Sequence, residues 1–403
     1  MIDEYKGISP KSDLALLRKL GEAFKGRSFL HINSTREGGG VAEILHRMVP
    51  ILLDLGIDAR WEVIRGDAKF YETTKKVHNA LQGNEEHFTA EMWDHHFEVN
   101  RSNAEKLDLD ADVVLVHDPQ PAPLVEFRKK GAWIWRCHID VSNPLPDVWN
   151  ALKRYSEHYD AAVFSVAKFA RSMPVDEFII PPSIDPVSDK NRDLTDEEIN
   201  ETAKKFNVPR DRPMLLQVSR FDVFKDPIGV IKAYRMVKKY NDCVLVLAGS
   251  PATDDPEGEA VLAEVREFAS GDPDIIILLL PPFSDKDINA LQRLATVVLQ
   301  KSLKEGFGLT VSEAMWKEKP VIGGAVGGIP IQIVHGVTGF LVHSSEGAAF
   351  RIRQLLNNPD MAKRMGERGR EYVRNNFLIT RQVRDYLAVW YAIENRGKNV
   401  LEL

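Results

Sequence analysis

The chain has 403 residues, 44% of them hydrophobic and 28% charged, a size and composition that suggest a globular protein of two domains. A formal net charge of −6 argues against nucleic acid as a partner. No apolar run suggests a membrane span and the polar, acidic N-terminus does not resemble a signal peptide, so a cytoplasmic location is expected.

Leu14, Leu17, Leu20 and Phe24 recur at helical spacing, which predicts an amphipathic helix over 11–25 ending at Gly26. A first strand follows at 28–33, and Gly38, Gly39 and Gly40 then lead into a helix that starts near Val41. Strand, glycine turn and helix can hold a ligand over a helix N-terminus. The spacing is not G-x-G-x-x-G, and a plain tight turn reads equally well. A second strand is expected at 59–64. Within the mixed helical and polar stretch 66–106, His78, His95 and His96 read as surface or capping residues, because no carboxylate–histidine spacing marks a metal site.

A third strand, 112–118, ends at Asp118 and runs into a proline-rich turn. Asp110 and Asp112 spell D-x-D, a pattern used to hold a metal diphosphate. They precede their strand, whereas ligands of parallel sheets lie beyond the carboxyl ends, so no metal site is expected there. A fourth strand spans 132–140. On it His138 and Asp140 share one face and Cys137 takes the other, which opposes a Cys–His nucleophile pair. Cys137 and Cys243 lie far apart in apolar runs and read as buried, reduced thiols. Strands at 161–165 and 177–180 follow, and the polar stretch 186–201 is the expected linker.

A second set of strands begins at 213–219. Arg220 and Lys225 come directly after it, ahead of a helix over 228–240. They are the local cations that an acidic protein needs to hold a diphosphate; solvated loop charges are the competing reading. Strands at 244–249, 275–280 and 296–300 continue the sheet. The last stops at a polar turn, Lys301 to Gly308, and a helical pattern starts near Leu309. Gly306 and Gly308 let the backbone approach a ligand, and the free amides of Gly308, Leu309 and Thr310 could donate to a phosphate. Glu305 and Glu313 flank this junction. A carboxylate on each side of an anion site suits a ligand that is part phosphate and part polyol, such as a nucleotide sugar. An ordinary helix with two solvated glutamates competes, so the surroundings must decide. A glycine-rich turn at 323–328, a strand at 339–342 and helices over 347–375 and 378–394 close the chain. Val383, Tyr386, Leu387, Trp390 and Tyr391 give the last helix more apolar face than one domain end needs, so it is expected to cross back to the N-terminal half.

The pattern predicts an α/β fold of two Rossmann-like, doubly wound parallel-sheet domains facing across a cleft. Residues 1–188 form the first, 189–378 the second, and 379–403 return to the first. The glycine turns, Asp118, His138, Arg220, Lys225 and Glu305 all fall just beyond a strand, and are expected to meet in that cleft.

The E-x7-E pair Glu305/Glu313, the S-R-F-x3-K run at 219–225 and P-V-I-G-G-A-V-G-G-I at 320–329 resemble the donor half of the retaining GT-B glycosyltransferases of family 4. That likeness covers roughly 210–345. The runs His31-Ile-Asn-Ser-Thr35, 38–46, 78–84, 116–121 and Trp135-Arg-Cys-His-Ile-Asp140 resemble, more narrowly, the trehalose glycosyltransferring synthases of that family. The resemblance implies transfer of glucose from a nucleotide-glucose donor to free glucose, forming trehalose by front-face retention. It implies that Arg220 and Lys225 grip the diphosphate, Glu305 binds donor-sugar hydroxyls and Glu313 the ribose. Gly306, Phe307, Gly308 and Leu309 would offer backbone to sugar and phosphate. His138 would lie near the 6-hydroxyl of the donor, and Gly38, Gly39 and Gly40, with Asp118 close by, beside diphosphate and acceptor. No metal and no cofactor are implied, since nucleotide-glucose is a substrate; glucose or trehalose are the other partners, and a homodimer is left open. Retaining trehalose phosphorylases share many of these motifs and remain an alternative. So does a GT-B epimerase, for which the N-terminal match is not expected. A non-enzymatic two-domain sugar-binding protein would have no use for Arg220 and Lys225. The preferred base is not readable near Pro281-Pro-Phe283.

Overall fold

The computed structural model describes residues 1–37, 39–249, 256–281 and 283–398. It divides into two compact units. One holds Met1–Ser183 together with the segment from Ile379 onward, and the other Ile184–Leu378. The division thus falls at Ser183/Ile184 rather than at 188/189.

The first unit is built on six parallel strands: β1 (Ser28–Asn33), β2 (Asp58–Val63), β3 (Val113–His117), β4 (Ala132–Cys137), β5 (Ala161–Phe164) and β6 (Asp176–Ile179). Their order is β2-β1-β3-β4-β5-β6. Strands β3, β4 and β5 are buried along their whole length, which is why they read as continuous apolar runs rather than alternating ones. Edge strand β6 is instead largely exposed and carries Asp176 and Glu177, charges that discourage pairing with another chain. The closing helix Ile379–Glu394 packs on helix Lys11–Ala23 of this unit. Trp390 stacks on Phe24 with ring centroids 3.8 Å apart, and Arg384 pairs with Asp13 at 2.6 Å.

The second unit repeats the plan with β7 (Met214–Val218), β8 (Val244–Gly249), β9 (Ile275–Leu279), β10 (Val297–Gln300), β11 (Val321–Gly324) and β12 (Gly339–Val342), in the order β12-β11-β10-β7-β8-β9. All neighbours are again parallel.

The stretch 186–201 is not a linker but part of this unit. Thr195 and Glu198 form a capping box on helix Asp196–Lys205. Asn191 is 1% exposed; its carbonyl accepts from Trp316 Nε1 and its side chain from Lys317 Nζ. The polar side chains that suggested solvent are satisfying buried groups instead. The two connections between units run together, with the Ile184 N–H donating to Phe377 O.

Two further details depart from or refine the sequence reading, and the cysteines agree with it. His96 is buried rather than on the surface: its ring stacks on Phe70, its Nε2 meets Gln120 O at 3.1 Å, and burial lowers its pKa to about 4. Asp112 accepts from the Ser28 N–H and hydroxyl, so this D-x-D aspartate ties strand starts together. Both cysteines are buried and free. Among the described residues no helix is long and apolar enough to cross a membrane.

Candidate active site

In an open parallel sheet the loops leaving adjacent strands diverge where the strand order reverses, and ligands bind there, beyond the carboxyl ends. In the second unit that point lies between β7 and β10, which pair directly although β8 and β9 intervene in sequence. The loop after β7 carries Arg220 and Lys225, and the loop after β10 carries Glu305.

The two loops are bolted together. Lys225 Nζ donates to both carboxylate oxygens of Glu305, at 2.8 and 2.7 Å. Gln300 Nε2 and Ser302 Oγ also donate to Glu305 Oε2, at 3.1 and 3.0 Å. Only 8% of the Glu305 side chain and 18% of Lys225 are exposed, so each charge is compensated by the other out of bulk water. A second ion pair joins the same loops, Lys301 with Asp226. Asp226 stands in left-handed backbone (φ 51°) and caps helix Pro227–Lys238 by accepting from the Gly229 N–H at 3.0 Å. The Leu303 N–H donates to Phe224 O at 2.7 Å.

Helix Leu309–Trp316 starts at this junction with no side-chain cap. Its first amides therefore offer an anion the positive end of the helix. Gly308 has φ 80°, where a side chain is strained. The turn after β11 lies hard against the Glu305 loop: a Cβ on Gly327 would fall 1.7 Å from Glu305 O, and Gly328 N–H donates to Gly306 O. Phe307 turns its ring into the interior against Phe377, leaving only its backbone for a ligand.

Glu313 is 4% exposed. Gln292 Nε2 donates to it at 3.3 Å, and Lys190 Nζ lies 3.8 Å from its other oxygen. Lys317, one helical turn on, donates to Glu313 O and Asn191 Oδ1. Its burial holds its pKa down to about 7, against the attraction of Glu313. Arg220 stands apart from these contacts: its side chain is 67% exposed and its guanidinium is 3.6 Å from Asp222.

The corresponding reversal in the first unit lies between β1 and β3. Gly38 lies outside the described residues. Gly39, with φ 77° and open space around its Cβ position, begins helix Gly39–Asp54, and Gly40 is exposed in its first turn. Asp118 (φ 66°) turns its carboxylate back to accept the His138 N–H at 2.8 Å, and burial raises its pKa to about 6. It therefore ties the ends of β3 and β4 together. His138, only partly buried, ends a row whose other two members are buried: its Nε2 lies 3.0 Å from His117 Nδ1, and His117 Nε2 lies 3.2 Å from His31 Nδ1.

Sequence reasoning singled out Lys225, Glu305 and Glu313 but not the residues that hold them. Gln300, Ser302, Lys301 and Asp226 sit at strand and helix ends, where a polar residue beside an apolar run is a usable signal. Gln332 gave no signal. It is fully buried, its amide donates to Phe307 O at 2.5 Å, and its carbonyl accepts from the Ser312 N–H and hydroxyl at 3.1 and 2.6 Å.

Residues 31–171 match the family described as trehalose synthase, N-terminal domain, and residues 198–372 match glycosyl transferases group 1. The chain is similar to the trehalose synthase of Thermococcus litoralis, with 46% identity over 96% of this chain and 95% of that one. A trehalose phosphorylase from Grifola frondosa is 29% identical over 92% of this chain but only 58% of its own length. A sucrose-phosphate synthase structure from Thermosynechococcus elongatus superposes with a TM-score of 0.70 at 17% identity, covering 90% of this chain and 98% of that one. That likeness identifies the GT-B fold. With this fold, both family matches and such identity along nearly its whole length, the chain belongs to the trehalose synthases among the group 1 glycosyltransferases and is a trehalose-related, glycosyl-transferring enzyme.

Proposed function

We propose that the protein transfers glucose from a nucleotide-glucose donor to free glucose, forming trehalose with the donor's anomeric configuration retained. The observation that carries this reading is the Lys225–Glu305 pair beside an uncapped helix start at the second unit's strand-order reversal. It sets a cation, a carboxylate and free amides where a sugar diphosphate needs all three.

In this reading the acceptor hydroxyl oxygen attacks the anomeric carbon as its bond to the diphosphate breaks on the same face. The departing phosphate oxygen takes the hydroxyl proton. Negative charge grows on the diphosphate as that bond breaks, ahead of the proton's arrival, and Lys225, Arg220 and the helix start stabilise it in place. Arg220, exposed and weakly tied, is free to turn toward it. Glu305 orients donor hydroxyls. Three side chains donate to its carboxylate, which damps its nucleophilicity and speaks against a covalent glycosyl-enzyme. Glu313 receives the ribose hydroxyls, and His138 and the Gly39 turn serve the sugar side. Positive charge from the chain makes metal unnecessary, so turnover should continue in a chelator.

Identity favours this reading over phosphorolysis, being higher and extending over nearly the full length of the synthase. The test is to incubate the protein with glucose and separate nucleotide-glucose donors and read products by NMR. Trehalose and free nucleotide are expected. Trehalose cleavage that requires inorganic phosphate, with no product from any nucleotide donor, would overturn it.

A further inference from the structure

His31, His117 and His138 come from β1, β3 and the residue after β4. His31 pairs in register with Leu115, and His117 lies two residues beyond it. His117 pairs with Arg136, and His138 lies two residues beyond that. Side chains alternate along a strand, so all three rings fall on one face in a diagonal row. The rings stack in sequence, with centroids 5.5 and 5.3 Å apart, and are bridged nitrogen to nitrogen at 3.2 and 3.0 Å.

A neutral imidazole has one donor and one acceptor nitrogen, so such a row runs in one of two directions. The buried end decides which. His31 Nε2 is fully buried without a hydrogen-bond partner, and the ring lies against Phe29, which packs edge-on to Trp390. A buried N–H without an acceptor is rarer in proteins than an under-used lone pair. His31 Nε2 is therefore the bare nitrogen. His31 Nδ1–H then donates to His117 Nε2, and His117 Nδ1–H to His138 Nε2. Among the described residues nothing accepts a proton beyond His31, so the row passes none onward.

We propose that this dead-end row fixes His138 as an imidazole protonated on Nδ1, an N–H donor to a ligand oxygen, with His117 as its positioning residue and His31 orienting His117. The ordinary form of a free imidazole side chain carries its proton on Nε2, so the row imposes the less common form. Burial supports it by keeping all three rings neutral: it lowers the pKa of His31 to about 3 and those of His117 and His138 well below the usual range. The Arg136 charge adds to this at His117 and His138. An Nδ1–H donor cannot accept the acceptor's proton, so His138 orients an oxygen and does no base chemistry. The inference rests on the reading above only in placing a ligand at this end of the sheet.

The test is long-range ¹H–¹⁵N spectroscopy of the full chain labelled at histidine, with His138 assigned by the signals lost in His138→Gln. The expected result is a protonated Nδ1 and a bare Nε2 on His138 at neutral pH. In His117→Leu its proton should return to Nε2 and kcat should fall on the order of tenfold, with nucleotide affinity unchanged. His117→Gln, whose amide can donate in place of the ring, should restore both. A wild-type His138 protonated on Nε2, or a tautomer indifferent to His117→Leu, would overturn the proposal. If His117→Leu does not fold, the wild-type spectrum decides. If no nucleotide sugar is turned over, the proposed function falls while the spectrum still decides this inference.

Discussion

Both units are six-stranded parallel sheets whose strand order reverses beside their first strand, with two strands to one side of that point in the first unit and three in the second, yet the chemistry there is opposite. At the reversal in the second unit the loops carry two ion pairs, Lys225 with Glu305 and Lys301 with Asp226. In the first unit the same position carries three imidazoles held neutral and an aspartate whose pKa is raised by burial. Topology thus supplies a place for a ligand, and the side chains at the strand ends decide its charge. On the proposed function, the charged end of the second unit serves the part of the substrate whose charge changes.

The sharpest way to break this contrast is to remove charge from the second unit. Lys225→Ala should lower kcat on the order of 10²-fold or more, as loss of a preorganised transition-state donor does, and Arg220→Ala should do likewise without loss of stability. Near-normal trehalose formation by both would show that the charges are structural. Gln332→Leu strips several buried hydrogen bonds from the loop and helix start that carry Glu305 and the free amides. A loss of about 2–3 kcal/mol is expected, read as a lower thermal midpoint. Glu313→Gln should weaken nucleoside diphosphate binding about tenfold by calorimetry while leaving kcat nearly unchanged, because a ribose contact is alike in ground and transition states. A fall in kcat alone would move Glu313 to the reacting sugar.

The smallest effect compares the units through pH. The Asp118 pKa is raised by burial from 3.8 to about 6, so the folded chain binds the extra proton and stability is lost as pH rises through that window. Asp118→Asn should gain on the wild type from pH 4 to 6. Burial lowers the Lys317 pKa from 10.5 to about 7, so the unfolded chain binds the extra proton and stability rises across that window. Any advantage of Lys317→Met should shrink from pH 7 to 10. Thermal midpoints across pH that showed parallel slopes for both variants would remove this distinction.

Strands, their parallel order and the charged loops were legible in the sequence because continuous apolar runs and the polar residues that end them follow directly from burial. Lys225 and Glu305 announced themselves in this way. That they bind each other did not, since their separation of 80 residues is closed by the pairing of β7 with β10, which the sequence does not display. The stretch 186–201 misled for the opposite reason. Asn191 and its neighbours look solvated, and it takes the buried Trp316 N–H and Lys317 ammonium to explain them. The histidine row was invisible because its members are isolated polar residues on three separate strands, His31 within β1, His117 at the end of β3 and His138 just past β4.

The return of the last helix to the first unit has a consequence for biosynthesis. The second unit is contiguous, so it can complete its fold while the chain is still emerging. The first unit cannot: Phe24 and Phe29 lack Trp390, and Asp13 lacks Arg384, until the final helix leaves the ribosome. The half of the enzyme synthesised first is therefore the half finished last. A stalled or clipped chain would display an aromatic surface for chaperones to recognise.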